Sequence, residues 1–354
     1  MKRIILVLSF VVPFFAFSQS DFAYFQDIFF GRQPTAHAEA LGGSLSSLDG
    51  DLSATYYNPA ASSSIEGLQV AGSYSSPYSV IDDAYYNYLG AGYKLNRFLT
   101  FGITRYHFSY GEIYLTDETG TLTGGKVKPR DSFYTLNLSS EPRKNLYVGI
   151  NINYQDWEFV QLKDQTLFAD FGIIKKFIIS REKNKNQSVN VGAGITNFTF
   201  SKLKPKIHDE VYEYKLPAIA RFGVNYSYGT GIRERPDSLE MFKVTVLADY
   251  NTVLNSAYFT SFRSGAELQF FEFVLVRLGY YNQFINDHDM PEYYKDHLSQ
   301  FTWGLGINFP LHKIAEIPLQ FTFDYTSLPQ ESYIREAVDY DNFTTWSARL
   351  SIFL

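Results

Sequence analysis

Residues 145–154 read Asn-Leu-Tyr-Val-Gly-Ile-Asn-Ile-Asn-Tyr. Leu146, Val148, Ile150, Ile152 and Tyr154 fall on one face, and Asn145, Tyr147, Gly149, Asn151 and Asn153 on the other. A period of two is the signature of a strand with one greasy and one wet face. The pattern recurs at the end of the chain, where Trp346, Ala348, Leu350, Ile352 and Leu354 oppose Thr345, Ser347, Arg349 and Ser351. Leu319, Phe321, Phe323 and Tyr325 oppose Gln320, Thr322 and Asp324; Val191, Ala193 and Ile195 oppose Asn190, Gly192 and Gly194.

From Leu68 onward the alternation predicts strands over 68–76, 83–94, 98–110, 131–140, 145–156, 165–179, 187–200, 213–228, 240–252, 258–270, 273–285, 298–309, 317–327 and 342–354. Most reach the about 9–11 residues that a tilted strand needs to cross a bilayer, whereas strands of soluble sandwiches run nearer 5–6. An even count suits a closed antiparallel barrel with both ends on one side. The fold class expected is therefore all-β, a transmembrane antiparallel barrel of about fourteen strands with a short N-terminal helical plug.

If strand one runs outward, the connections 111–130, 201–212, 286–297 and 328–341 face outside and are long. Leu95 to Arg97, Glu141 to Lys144 and Phe271-Glu272 face inside and are short, which is the outer-membrane arrangement. The inward connections 180–186 and 229–239 are longer than that rule expects. Tyr85, Tyr86, Tyr88, Tyr106, Phe108, Tyr110, Tyr280 and Tyr281 cluster near strand ends. They read as aromatic girdles at the headgroups, with cross-strand packing in a soluble sheet as the alternative.

Composition agrees. The 354 residues include 32 Phe, 28 Tyr and 3 Trp, so 18% are aromatic, while only 19% are charged. An ordinary soluble domain carries roughly 25% charge. Mean hydropathy is nonetheless just below zero, too polar for a bundle of membrane helices. A net charge of -6 excludes a strongly basic nucleic-acid binder, and the absence of Cys excludes disulfides, thiolate nucleophiles and zinc–thiolate sites.

Lys2 and Arg3 precede an apolar run from Ile4 to Phe17, and Ala16-Phe17-Ser18 places small residues at a cleavage site. Residues 1–18 thus read as a secretory signal peptide, 19–67 as the plug and 68–354 as the barrel. The protein is expected in the outer membrane, in contact with lipid and lipopolysaccharide. Thr35 to Leu48 reads as a short helix weakened by Gly42-Gly43, and Tyr56-Tyr57-Asn58-Pro59-Ala60-Ala61 as a turn before strand one.

Chemistry leaves little trace. The histidines (His37, His107, His208, His288, His297 and His312) lack metal-ligand spacing, and no HExxH, P-loop, GxGxxG or Gly-x-Ser-x-Gly motif is present in a suitable context. No catalytic residue, metal or cofactor is expected, although a triad built from distant strands would leave no local motif. Asp287-His288-Asp289 with Glu292 forms an acid/His cluster on an outward loop that reads as solvated. Asp82, Asp83, Asp339 and Asp341 are outward acids of the same kind. Arg349, Asp324, Asp249, Lys243, Arg277 and Glu267 should face inward and pair with one another or with the plug, because a charge facing lipid at the midplane costs about 2–4 kcal/mol.

Ala38-Glu39-Ala40-Leu41-Gly42-Gly43, then Asp49-Gly50-Asp51, then Tyr57-Asn58-Pro59-Ala60, resembles the N-terminal signature of FadL-type barrels, and within them the PorV/PorQ group of Bacteroidetes. Gly111-Glu112 with Thr116 to Gly120 is similar to PorQ-like members. His37 stands where the family usually has Arg, and the chain ends Phe353-Leu354 rather than on an aromatic. The resemblance implies a non-enzymatic barrel serving type IX secretion, docking cargo or other outer-membrane proteins through its outer loops. Tyr114, Met290, Tyr293 and Tyr294 are the contact candidates. The alternatives are a FadL-like transporter of small hydrophobic molecules, or an accessory barrel of another assembly complex. Leu41, Gly42, Gly43, Asp49, Asp51, Asn58 and Pro59 carry the plug signature; their expected role is to aim the plug into strand one.

Overall fold

The computed structural model describes residues 33–76, 83–116, 121–159, 162–182, 185–199, 206–207, 210–211, 216–231, 239–254, 259–285, 297–329 and 342–353. The strands in chain order are β1 (Leu68–Ser76), β2 (Ala84–Asn96), β3 (Leu99–Tyr110), β4 (Ile113–Thr116), β5 (Leu122–Val127), β6 (Arg130–Arg143), β7 (Leu146–Phe159), β8 (Leu162–Glu182), β9 (Lys185–Thr199), β10 (Lys206–Ile207), β11 (Glu210–Val211), β12 (Ile219–Thr230), β13 (Phe242–Val253), β14 (Phe259–Phe270), β15 (Val274–Ile285), β16 (His297–Phe309), β17 (Leu319–Leu328) and β18 (Phe343–Ile352). Fourteen of them close an antiparallel barrel, in which β1 pairs with both β2 and β18. The pairs β4–β5 and β10–β11 form small separate hairpins in outer connections.

The barrel is apolar outside and polar inside. Burial alternates without a break along β16: Phe301, Trp303, Leu305 and Ile307 are exposed, whereas Gln300, Thr302 and Asn308 are buried. Buried Asn137, Asn151, Asn153, Asn190 and Asn225 line the interior of neighbouring strands. Such an arrangement matches a lipid-facing exterior. No described helix is long and apolar enough to cross a membrane.

The connection expected at 180–186 is mostly strand. Glu182 pairs with Lys185 and Arg181 with Asn186, so β8 and β9 extend as a polar ladder beyond the apolar band. The turn at Phe271-Glu272 has two consecutive left-handed residues, φ 51° and 59°, as a tight hairpin requires. Glu272 Oε1 accepts from Glu240 N and Lys313 Nζ, both at 2.7 Å, which ties three connections of the short-turn rim together.

The girdle assignment needs correction. Tyr86, Tyr88, Tyr106 and Phe108 are 2–5% exposed and form a cluster inside the lumen. Tyr281 also faces inward, donating from its hydroxyl to Gln300. Residues on one face of a strand share parity, and Tyr86 and Tyr88 share theirs with Gly92, which lies against the plug residue Leu52. Tyr85 and Tyr280 do lie on the outer face, against exposed Tyr74 and Phe301, with other exposed aromatics that include Phe222 and Phe262 toward the long-loop rim and Phe98, Phe271 and Phe309 toward the short-turn rim.

The plug is less helical than its composition suggests. Among its described residues, 33–67, only Ala36–Ala40 is α-helix, stopped by Gly42 and Gly43 at φ +62° and +72°; two 3-10 turns follow at Leu52–Tyr56 and Pro59–Ser64. It crosses the lumen in direct backbone contact with the wall. A Cβ on Gly149, Gly172, Gly192, Gly265 or Gly279 would stand closer than 3.0 Å to a plug atom. At Gly149 the atom is the Pro59 carbonyl oxygen, and at Gly192 the Ser46 carbonyl oxygen. Gly192→Val is therefore expected to unseat the plug at a cost of about 1–3 kcal/mol or more, while Val191→Ala on the lipid face leaves it in place. Hydrogen exchange across residues 44–64 checks this, with unchanged protection in Gly192→Val counting against the close approach as the seat.

Candidate functional site: a plugged lumen with two chambers

A backbone so poor in regular structure must find its hydrogen bonds elsewhere. Wall asparagines supply them. Asn151 Nδ2 donates to Thr55 O at 2.9 Å, Asn137 Nδ2 to Pro59 O at 3.0 Å, and Asn225 Nδ2 to Ser47 O at 2.7 Å. Thr302 Oγ1 donates to Ala40 O at 3.0 Å and Arg263 Nη1 to Gly42 O at 3.1 Å. In the opposite direction, Ser46 N donates to Asp249 Oδ2 at 2.8 Å.

The signature residues all lie in this plug and have identifiable local tasks. Asp51 caps the first 3-10 turn through Ser53 N, and Asn58 caps the second through Ala60 N, with Pro59 at its first position. Asn58 Nδ2 also donates to Ser46 O at 2.8 Å, folding the plug onto itself. Asp49 accepts from Asn190 Nδ2 at 2.7 Å and Lys176 Nζ at 3.0 Å. Leu41 packs in the plug core with Leu45, Ala54 and Tyr57.

A buried charge network fastens the plug to β14, β15, β17 and β18. Arg349 donates to Asp51, which also lies 3.1 Å from His37 Nδ1. His37 Nε2 lies 3.6 Å from Glu267, and Arg277, 1% exposed, donates to Glu267 at 2.6 Å and to Asp324 at 2.7 Å. The expected inward-facing charges Arg349, Asp324, Arg277 and Glu267 thus meet in one cluster, and Asp249 meets the plug. His37, the departure from the family pattern, is one of the two plug residues in that cluster.

The plug divides the lumen. On the short-turn side lies a polar vestibule of about 540 Å³, walled by groups that include Asp49, Glu66, Lys176, Lys243 and Arg349. On the long-loop side lies a smaller chamber of about 40 Å³. One wall of it is aromatic: Tyr56, Tyr88, Tyr106, Phe133 and Phe168. Tyr86 stacks on Phe108 at 4.1 Å, and the plug's Tyr56 meets Tyr106 edge-on at 5.9 Å. Burial pushes the Tyr56 phenol up to about 12 and raises Tyr57 as well, so both remain protonated donors. The other wall carries Asn151, Asn153, Asp170, Thr196, Asn197 and Arg221. There β9 bulges at Asn197, φ 61°, whose N–H donates to Asp170.

Sequence reasoning missed this chamber. Of the proposed contact residues, Tyr114 sits exposed on the β4–β5 hairpin beside Lys126. Met290, Tyr293 and Tyr294 lie outside the described residues, as do the 1–18 leader, the Asp287–Glu292 cluster, Asp82, Asp339 and Asp341. Among the described residues no group of acids and histidines could hold a metal ion.

No protein-family model and no curated protein matches the chain. Solved structures do. A TodX monoaromatic hydrocarbon channel, in a ΔS2S3 mutant form, aligns at a TM-score of 0.53 and 11% identity, covering 93% of this chain and 100% of that one. The Ralstonia pickettii toluene transporter TbuX aligns at 0.49 and 10%, covering 92% and 100%. A Pseudomonas aeruginosa FadL homologue aligns at 0.44 and 12%, covering 91% and 98%. The fold is FadL-like, a closed fourteen-strand barrel with a small N-terminal plug. These structures do not support the PorV/PorQ assignment or a part in type IX secretion.

Asp51 offers a test of the fastening. Its burial opposes charge, but Arg349 and His37 hold the carboxyl well below the usual carboxylate range. A depressed carboxyl contributes stability in full above its unfolded value of about 3.9 and loses it as pH falls through the folded value. This group therefore leaves plug seating constant from pH 5 upward and weakens it only in stronger acid. Asp51→Asn, which strands Arg349, is expected to cost about 3–5 kcal/mol and to raise single-channel conductance in planar bilayers. Asp51→Asn with Arg349→Gln should recover part of the closure.

Proposed function

We propose that the protein is a non-enzymatic, FadL-like channel of the outer membrane that admits small hydrophobic molecules. The observation that carries this reading is the aromatic cluster inside the lumen, above the plug. Rings that serve as lipid anchors belong outside a barrel, and rings spent on stability alone are scarce in a lumen otherwise lined by Asn, Thr and charge. Four of them, Tyr88, Tyr106, Phe133 and Phe168, instead wall a chamber whose floor is the plug with its Tyr56. Apolar walls with a few fixed polar groups are the usual composition of a small-molecule site. The solved barrels that this fold resembles include hydrocarbon channels, which supports the same reading.

The plug closes the axis, so admission requires it to shift. The wall itself is less continuous at one place. Among the described residues the β16–β17 ladder stops at Gly304–Thr326, where the Thr326 hydroxyl donates to Trp303 O.

Expression in a host that has an outer membrane but no hydrocarbon channel of its own tests the reading, because the lipopolysaccharide leaflet resists toluene. Expression is expected to raise the initial rate of labelled-toluene uptake severalfold. Phe133→Arg, which puts a charge into the chamber, should abolish the gain without altering the heat-modifiable migration of the folded barrel. Uptake no faster than in the empty host would refute the proposal.

A further inference from the structure

We infer that the upper chamber selects monoaromatic molecules carrying a neutral carbonyl oxygen, over plain hydrocarbons and over aromatic carboxylates. This rests on the reading that the lumen admits small hydrophobic molecules, and it names the substrate class. The carrying observation is Arg221 on β12. It is 4% exposed and lines the chamber. Its Nε donates to Thr196 Oγ1 at a long 3.3 Å, and its guanidinium lies over the Tyr57 ring at 5.5 Å. Among the described residues it makes no ion pair and no other hydrogen bond. A guanidinium has five N–H donors in a fixed fork, so most of this set is unspent.

An unspent buried donor set discriminates. A methyl-substituted ring entering the chamber would displace water from the guanidinium and return nothing, and a buried donor stripped of its partner is costly. A ring bearing a carbonyl oxygen presents an acceptor to the fork while its apolar face packs against Tyr106, Phe133 and Phe168. Sites built to bond a polar group of the ligand reject the analogue lacking it far more strongly than apolar pockets reject an extra group.

Charge decides between a carbonyl and a carboxylate. Asp170 stands in the same wall and accepts from Asn151 Nδ2, Asn153 Nδ2 and Asn197 N at 2.8–2.9 Å. A carboxylate would enter against the buried Asp170 carboxyl in the same wall, whereas a neutral oxygen takes the Arg221 donors without that opposition. At about 40 Å³ the chamber has room for roughly three waters; benzene has been held by a cavity of about 150 Å³. Room must come from a wall that yields. Tyr88 is the candidate, since its hydroxyl has no hydrogen-bond partner among the described residues and its displacement breaks none.

The test is competition binding to the full-length, detergent-solubilised barrel, read by saturation-transfer NMR with benzaldehyde, toluene and benzoate as probes. Benzaldehyde is expected to bind about tenfold or more tighter than toluene, the ratio a charge-assisted hydrogen bond gives, with benzoate weakest. Arg221→Met should reduce benzaldehyde to the toluene level and leave toluene unchanged or tighter. Equal binding of benzaldehyde and toluene, benzoate the tightest, or an unchanged ratio in Arg221→Met each overturns the inference while leaving the channel reading intact. If none of the three binds and toluene uptake is absent, the channel reading itself fails. Should Arg221→Met lose heat-modifiable migration, the wild-type order of the three probes decides alone.

Discussion

An irregular segment packed inside a membrane barrel must have its backbone groups met by the wall wherever water does not reach, and the rest of this barrel follows from that constraint. The described part of the plug has one short α-helix and two 3-10 turns, too little to bond its own peptide groups. The wall answers in two ways. Glycines remove the side chains that would hold the two backbones apart, and asparagines reach across to bond the carbonyls brought within range. Neither device works alone: a glycine without a nearby donor leaves a bare carbonyl, and an asparagine on a thicker wall would collide.

Electrostatics then distributes the work between the two faces of the plug. Below it, charges cluster and border a wet vestibule, where ions cost little. The fastening of Asp51 to Arg349 lies on this side and needs His37, Glu267, Arg277 and Asp324 as neighbours to keep each buried charge matched. Above it, the lumen is aromatic, and Arg221, which makes no ion pair among the described residues, faces the chamber.

The strands were legible because alternation is local: every residue votes on its own face, and the fourteen predicted spans differ from the observed barrel strands mostly by a few residues at their ends. The inward-facing charges were legible for the same reason, since lipid excludes them. The plug's extent of helix was not, because Ala and Leu at 36–48 favour helix while the contacts that unwind it come from strands two hundred residues away. The lumenal aromatics were misassigned although a signal existed. Tyr86 and Tyr88 share parity with Gly90 and Gly92, and Tyr106 and Phe108 with Gly102; a glycine run on one face marks the side that something approaches closely. The Arg221 chamber had no such local signal, because its walls come from the plug and from β2 to β12.

The interlocking of plug and wall also dictates an order of events. A segment whose carbonyls sit beneath glycines on several strands cannot be threaded into a finished cylinder, since any later path would drag side chains past those same strands. The plug is therefore laid in while the sheet is open. The seam left to close is between β1 and β18, the first and last strands made. On β18 stands Arg349, which meets Asp51 of the plug only when that seam zips. The arginine thus works as a completion mark: the barrel gains its last buried ion pair only if the plug is already home.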